Sequence, residues 1–268
     1  MTDILSKKLE SKIDNKLFSK SRRKTLDDGF KKGKVINEVL DKPTVMTLYK
    51  IISDGIISYV NGPVSAGKES VLFWAVDKNE NDIALKVYLV STSNFKKRES
   101  YIAGDPRFKN IKSGTKNLVY LWAKKEYKNL QQSFEAKIPV PKPLHVSNNV
   151  LVMEFVGING KPSQLLLNSE VDENDYSQAL DMIKNLYSKA KLVHGDFSEY
   201  NIFKTENGLC LFDLGSAVDL KHPNAIEFLK RDINNINRFF SKRGISTIET
   251  NEIMEELLDE LWKNYPNT

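Results

Sequence analysis

The sequence predicts an α+β protein of two lobes. Three observations carry that expectation: three short apolar strands with turn-rich breaks between residues 56 and 88, long segments of helical period from residue 117 onward, and a small hairpin at 202–212 flanked by Asn201 and Asp213. The expected boundaries are an N-terminal extension with short helices over 1–55, a first lobe over 56–156 and a second over 157–268. Only 55 residues follow Asp213, so the second lobe is read as a reduced one.

At 268 residues, 40% hydrophobic and 28% charged, the chain has the make-up of a globular protein with a substantial core. No apolar run approaches the ~20 residues of a membrane helix, and Met1 to Lys20 lacks the apolar centre of a secretory signal. The lone Cys210, placed in an expected buried strand, provides no disulfide framework. Together these give a cytoplasmic setting with no membrane partner as the expectation. The net charge of +5 is uneven: residues 1–50 hold 13 Lys/Arg against 7 Asp/Glu, whereas the rest is nearly balanced. Such a segment is read equally as a contact for RNA or another polyanion and as a solvated basic arm.

Taken in order, Met1 to Lys34 has no sustained period, and Val35 to Ile52 reads as two short helices broken at Pro43. Ile56–Val60, Val71–Val76 and Ile83–Tyr88 are the three strands. The first two are joined by Asn61 to Ser70, where Gly62 to Lys68 fits the opening of a Walker A pattern. Glu69 stands where that motif needs Ser or Thr, and a strand rather than a helix follows, so a Walker ATPase is rejected. The segment is instead a strand-turn-strand loop over phosphates, with Ser65 and Lys68 as its polar contacts. Lys86 lies in a strand apolar on both faces and requires an anionic partner, unless it points to water from an edge. A long loop follows over Ser91 to Gly114, and a helix over Asn117 to Phe134 sets Glu126 in the apolar stripe of Val119, Trp122 and Leu130. The simplest pairing joins Lys86 to Glu126; a local pairing of Glu126 on its own helix is the alternative.

Pro139 to Pro143 reads as extended, and Val150 to Gly157 as a strand entering a linker, where adenine would meet backbone groups near Glu154 and Val156. Tyr176 to Ala190 is an amphipathic helix leading into His194-Gly195-Asp196, and helices are expected over Asn224 to Phe240 and Ile248 to Trp262. In the hairpin, a turn centred on Asn207 sets Asn201 opposite Asp213. Those two oxygen donors form a hard site suited to Mg²⁺, and Asp196 just before them is the candidate base. Each short motif alone also reads as an ordinary turn or strand cap.

The full pattern, His-x-Asp with Asn five residues after the Asp, a hairpin, then Asp213-Leu214-Gly215, resembles the catalytic and metal-binding loops of the protein-kinase fold. With Ser65 to Ser70, Tyr101 to Phe108, Met153-Glu154-Phe155 and Phe228 to Asp232, it resembles the RIO family of atypical serine/threonine protein kinases, in its type-1 branch, over about residues 34–240. Ala66 and Ser70 depart from the commonest loop of that branch, and Gly195 replaces the Arg of ordinary kinases. The resemblance implies an α+β, two-lobed protein-kinase-like fold with a reduced C-terminal lobe and a short N-terminal helical extension. It implies catalytic roles for Asp196, Asp213 and Lys86, metal ligation by Asn201 and Asp213, and ATP contacts from Ser65, Lys68, Lys86, Glu126, Met153, Glu154 and Val156. ATP with Mg²⁺, or Mn²⁺ in its place, is the implied cofactor set; the pre-ribosomal small subunit and its RNA are the implied partners. It further implies a phosphorylated Asp213 during ATP turnover, with serine autophosphorylation in 91–100 as a secondary outcome.

Two other functions compete. A small-molecule phosphotransferase of the aminoglycoside or choline type shares His-Gly-Asp and the downstream Asn, but requires a larger C-terminal substrate lobe. An inactive ribosome-assembly scaffold has no need of Lys86, Asp196, Asn201 and Asp213 together.

Overall fold

A computed structural model describes residues 40–90, 98, 100–108 and 114–264, with side chains as far as Asp259. The basic segment at 1–34, the first expected N-terminal helix and most of the 91–114 loop, including Lys96 and Lys97, lie outside the described residues. The chain divides into two compact units, one drawn from residues 1–96, 113–127 and 143–162, the other from 97–112, 128–142 and 163–268.

In the first unit, helix α1 (Lys42–Ser53) begins at the proline expected to break it. Asp41 accepts the Thr44 amide at 3.0 Å as the N-cap, and Pro43 falls in the first turn, where its missing N–H leaves no bond unmade. Leu48, Ile51 and Ile52 are buried with Val71, Phe73, Leu85, Val87, Val150 and Val152 in one apolar cluster. Thr47 and Thr44 receive the side-chain amides of Asn148 and Asn149 at 2.9 and 2.8 Å.

The sheet beneath α1 comprises β1 (Tyr59–Ala66), β2 (Ser70–Val76), β3 (Asp82–Tyr88), β4 (Pro143–Ser147) and β5 (Val150–Glu154), in the order β1-β2-β3-β5-β4. Every neighbouring pair is antiparallel. β1 starts later than the expected Ile56 but runs farther and absorbs Asn61 to Ala66, leaving a short turn that Gly67 N–H closes on Ser70 O at 2.9 Å. Gly62 and Pro63 are tolerated there because β1 is an edge strand with two register shifts. β4 begins where the expected extended stretch 139–143 ends and is not itself expected; it too is an edge strand, entered through Pro143 and joined to β5 at Asn148, whose φ is 51°. β5 ends at Glu154, and Gly157 opens a separate small hairpin of β6 (Gly157–Ile158) and β7 (Lys161–Pro162).

Helix α2 (Thr115–Glu135) matches the helical period, extending it slightly at both ends. The second unit continues through β8 (Gln164–Leu165) to α3 (Glu173–Ser188), whose start is set by a capping box between Asp172 and Asp175. β9 (Leu192–Val193), the hairpin of β10 (Ile202–Thr205) and β11 (Gly208–Leu211), and β12 (Val218–Asp219) follow. Helices α4 (Ala225–Ser241) and α5 (Thr250–Asn264) complete it. Leu180, Ile183, Phe197, Leu211, Leu229, Ile233 and Phe240 are buried. Cys210, expected to be buried in its strand, is half-buried. Among the described residues no helix is long and apolar enough to cross a membrane.

Candidate active site

In the first unit, Lys86 lies on the central strand β3, between Leu72 of β2 and Leu151 of β5. The strand alternates, so Ile83, Leu85 and Val87 enter the cluster under α1 and Lys86 and Tyr88 turn to the opposite face. There the Lys86 ammonium donates to both oxygens of Glu126, at 2.9 and 3.0 Å, and the Tyr88 hydroxyl donates to the same carboxylate. Glu126 is fully buried in the stripe with Val119, Trp122 and Leu130. Its charge is therefore held by a cation and a hydroxyl rather than by water, which is the condition for keeping a buried carboxylate ionised. Tyr88 was not anticipated, because an aromatic residue ending an apolar strand gives no sign of a hydroxyl turned inward.

Lys86→Ala alone is expected to cost on the order of 3 kcal/mol of stability by leaving Glu126 buried without its cation. The change of both residues to alanine should cost less stability than Lys86→Ala. Turnover should fall on the order of 10²-fold in either single variant and little further in the double one. Urea unfolding and steady-state rates across the four proteins check this; additive losses would separate the two residues.

Ser65 and Lys68 stand at the exposed tip between β1 and β2. Met153 and Glu154 end β5, the first buried and the second exposed, and Val156 follows half-buried.

In the second unit, Asp196, Asn201 and Asp213 gather around the 194–201 loop and the hairpin that follows it. The hairpin register differs from the expected one. Thr205 pairs with Gly208 and Ile202 with Leu211, so the turn is the two residues Glu206 and Asn207 rather than three centred on Asn207. Asn201 thus faces Phe212, whose N–H reaches Asn201 O at 2.9 Å, and Asp213 falls one residue beyond. Asp213 takes the left-handed conformation (φ 58°, ψ 61°), which turns the chain from β11 into the short 3-10 turn Leu214–Ser216. Asn129 of α2 holds that turn, donating to Leu214 O at 2.7 Å and Ala217 O at 2.9 Å.

The side-chain amide of Asn201 donates to Asp196 O at 2.8 Å and reaches Asp196 Oδ2 at 3.4 Å. With its nitrogen so engaged, the amide presents Oδ1 as an acceptor. Asp196 is open to solvent on one side, yet the surrounding protein disfavours its charge and raises its pKa, and the negative charge of Asp213 raises it further. The Asn201 bond and the cations Arg231 and Arg98 oppose that rise. A carboxylate whose charge is felt at Asp196, together with an amide oxygen, is a donor set that fits a hard divalent cation such as Mg²⁺, which keeps several waters and accepts one or two protein oxygens.

The loop bearing Asp196 is held from below by Asp232 of α4. Its two oxygens accept the Gly195 and Phe197 amides at 2.7 and 2.9 Å, and it is buried. Burial pushes its carboxyl from 3.8 up to about 7, outweighing the two amide bonds and the Arg231 charge. Arg231 beside it donates to Gly195 O. Gly195 has φ 73°, and a side chain there would press on Ser216 O at 3.1 Å, so the position that holds Arg in ordinary kinases needs glycine here. A signal for Asp232 was present: a carboxylate in the apolar stripe of Phe228, Leu229, Ile233 and Ile236, the same sign that marked Glu126.

An antiparallel five-stranded sheet carrying a Lys–Glu pair, together with an Asp-bearing loop, a hairpin and a second Asp, defines a protein of the protein-kinase fold class. The chain belongs to the RIO family: the model of the RIO domain matches residues 71–253. The Rio1 RIO-type serine/threonine-protein kinase of Haloferax volcanii is 40% identical over 213 residues, 79% of this chain and 73% of that protein. Human serine/threonine-protein kinase RIO1 is 34% identical over 278 residues, 96% of this chain and 49% of that protein; the chain thus spans about half the length of this relative. Among solved structures, the Rio2 kinase–ADP/Mg²⁺–phosphoaspartate complex from Chaetomium thermophilum shares the fold at a TM-score of 0.61 and 21% identity, covering 84% of this chain and 71% of that one.

Proposed function

We propose that the chain is an atypical serine/threonine protein kinase with ATPase activity, using Mg²⁺ and ATP. The observation that carries this reading is the grouping of Asp196, Asn201 and Asp213, in which one carboxylate raises the pKa of the other and the Asn201 amide nitrogen is spent on Asp196 O. Asn201 and Asp213 would hold the cation, which when bound offsets the charge of the phosphates. Lys86, oriented by Glu126, would contact the phosphates, with Ser65 and Lys68 covering them and Met153, Glu154 and Val156 lining the adenine site. Mn²⁺ is an acceptable substitute for an oxygen-donor pair of this kind.

Two acceptors for the γ-phosphoryl group follow. A serine or threonine hydroxyl would form its O–P bond as the bond to ADP breaks, its proton passing to Asp196. Alternatively an Asp213 oxygen attacks the phosphorus, ADP leaves, and water then cleaves the aspartyl-phosphate with Asp196 taking the proton. The phosphoaspartate present in the Rio2 kinase complex of the same fold supports the second route. The names of the relatives support the first. Work on the pre-ribosomal small subunit, with the basic segment at 1–34 contacting its RNA in a cytoplasmic setting, completes the reading; it rests on the family and on the charge excess of residues 1–50.

Labelled ATP should leave an acyl phosphate on the enzyme that hydroxylamine removes, and Asp213→Asn should carry none. Label that resists hydroxylamine entirely, or hydroxylamine-labile label that persists in Asp213→Asn, removes the aspartyl-phosphate and leaves a serine kinase alone.

A further inference from the structure

Within the second unit a cavity of about 530 Å³ opens beside the catalytic loop. One wall carries Asp196, Glu199 and the exposed Tyr200; the other is the end of α4 and the residues after it, with Arg238, Phe239 and Lys242. Arg243 also lines it, but its guanidinium is committed to the scaffold, donating to Ser169 O at 2.9 Å and Leu167 O at 2.6 Å and lying 4.8 Å over the Phe239 ring. Arg238 and Lys242 are different. They stand four residues apart, both exposed, and neither side chain has a hydrogen-bonded or ion-pair partner among the described residues.

The charges are thus segregated across one small space: two carboxylates on the loop side, two uncommitted cations on the helix side. Extended chain advances about 3.3 Å per residue, so a cavity of this size has room for about two or three residues. A continuous nucleic-acid backbone, negative at every step, would meet Asp196 and Glu199 at close range, which is unfavourable. A peptide that brings a neutral hydroxyl to Asp196 and a single carboxylate to the opposite wall matches both sides, with Tyr200 and Phe239 offering apolar surface between.

We propose that this cavity is the protein-substrate site, and that it selects a serine or threonine with an acidic residue within about three positions, read by Arg238 and Lys242. The inference rests on the kinase reading above and names its substrate class. In the transfer, the substrate Oγ–P bond forms as the P–O bond to ADP breaks, and the hydroxyl proton moves to Asp196. The platform for an exchangeable substrate is then the end of α4.

The test uses the full chain and two fluorescent serine peptides that differ only in glutamate or lysine on both sides of the serine. Anisotropy should show the glutamate peptide binding about fivefold or more tightly, and phosphate incorporation by mass spectrometry should follow the same order. In the charge reversal R238E/K242E the preference should invert in favour of the lysine peptide, a gain that a misfolded protein cannot produce. An unchanged preference in the reversed variant overturns the proposal. So does tight binding of a single-stranded RNA oligonucleotide, lost in R238E/K242E, with no discrimination between the peptides. Binding that inverts as expected without any phosphate incorporation upholds the site and rejects protein phosphorylation; phosphate incorporation into both peptides with no preference between them rejects the site and leaves the kinase reading standing.

Discussion

Asp196→Asn is expected to lower turnover by roughly 10²- to 10⁴-fold, the range a positioned general base contributes. Asparagine keeps the shape of the side chain and removes only the ability to accept a proton. ATP affinity should therefore change little, because the proposed phosphate and metal contacts are made by other residues, and the loss should fall on kcat. The pH profile carries a second sign. Burial and the Asp213 charge raise the Asp196 pKa, so activity should rise as pH climbs through that value and the base form fills. A variant that keeps wild-type kcat would remove Asp196 from the chemistry.

The second large effect belongs to Asp232, which positions the loop without reaching the reacting atoms. Its carboxyl moves from 3.8 in the ordinary state to about 7 in the fold. The folded state therefore holds this proton to higher pH than the unfolded chain does. The stability contributed by the group is complete below about pH 4 and is lost as pH rises through about 7. Across that interval the wild type should lose on the order of 2–4 kcal/mol relative to Asp232→Asn, which has no proton to lose there. Urea midpoints of both proteins at pH 4, 5.5 and 7.5 measure the difference, and parallel profiles would show that burial does not control this carboxyl. The charged form is the better acceptor for both the Gly195 and Phe197 amides, so the order of the catalytic loop should improve with pH even as global stability falls. Amide exchange at Gly195 and Phe197 distinguishes the two trends.

Much of this was legible because burial leaves a mark on sequence. The strands β2 and β3 are largely buried on both faces and read as short apolar runs, whereas the helices α2, α3 and α4 each bury one face and show it as an apolar period. The same logic made Lys86 and Glu126 conspicuous, as charges among apolar neighbours, and the structure sets them 2.9 Å apart. Edge strands bury less and tolerate proline and glycine, so β4 and the far half of β1 carried no clear period.

What the amino-acid order determined by itself was the principal helices and the buried strands, the family and the identity of the polar residues placed in apolar stripes, because those follow from local propensity and from the cost of burying charge. Tertiary structure alone decided the hairpin register, which moved Asn201 from Asp213 to Phe212. It also decided which carboxylate holds the loop, and that Arg243 is spent on backbone carbonyls while Arg238 and Lys242 are not. Those outcomes turn on single-residue offsets and on partners far apart in the chain, 37 residues for Gly195 and Asp232, where packing rather than local preference selects the arrangement.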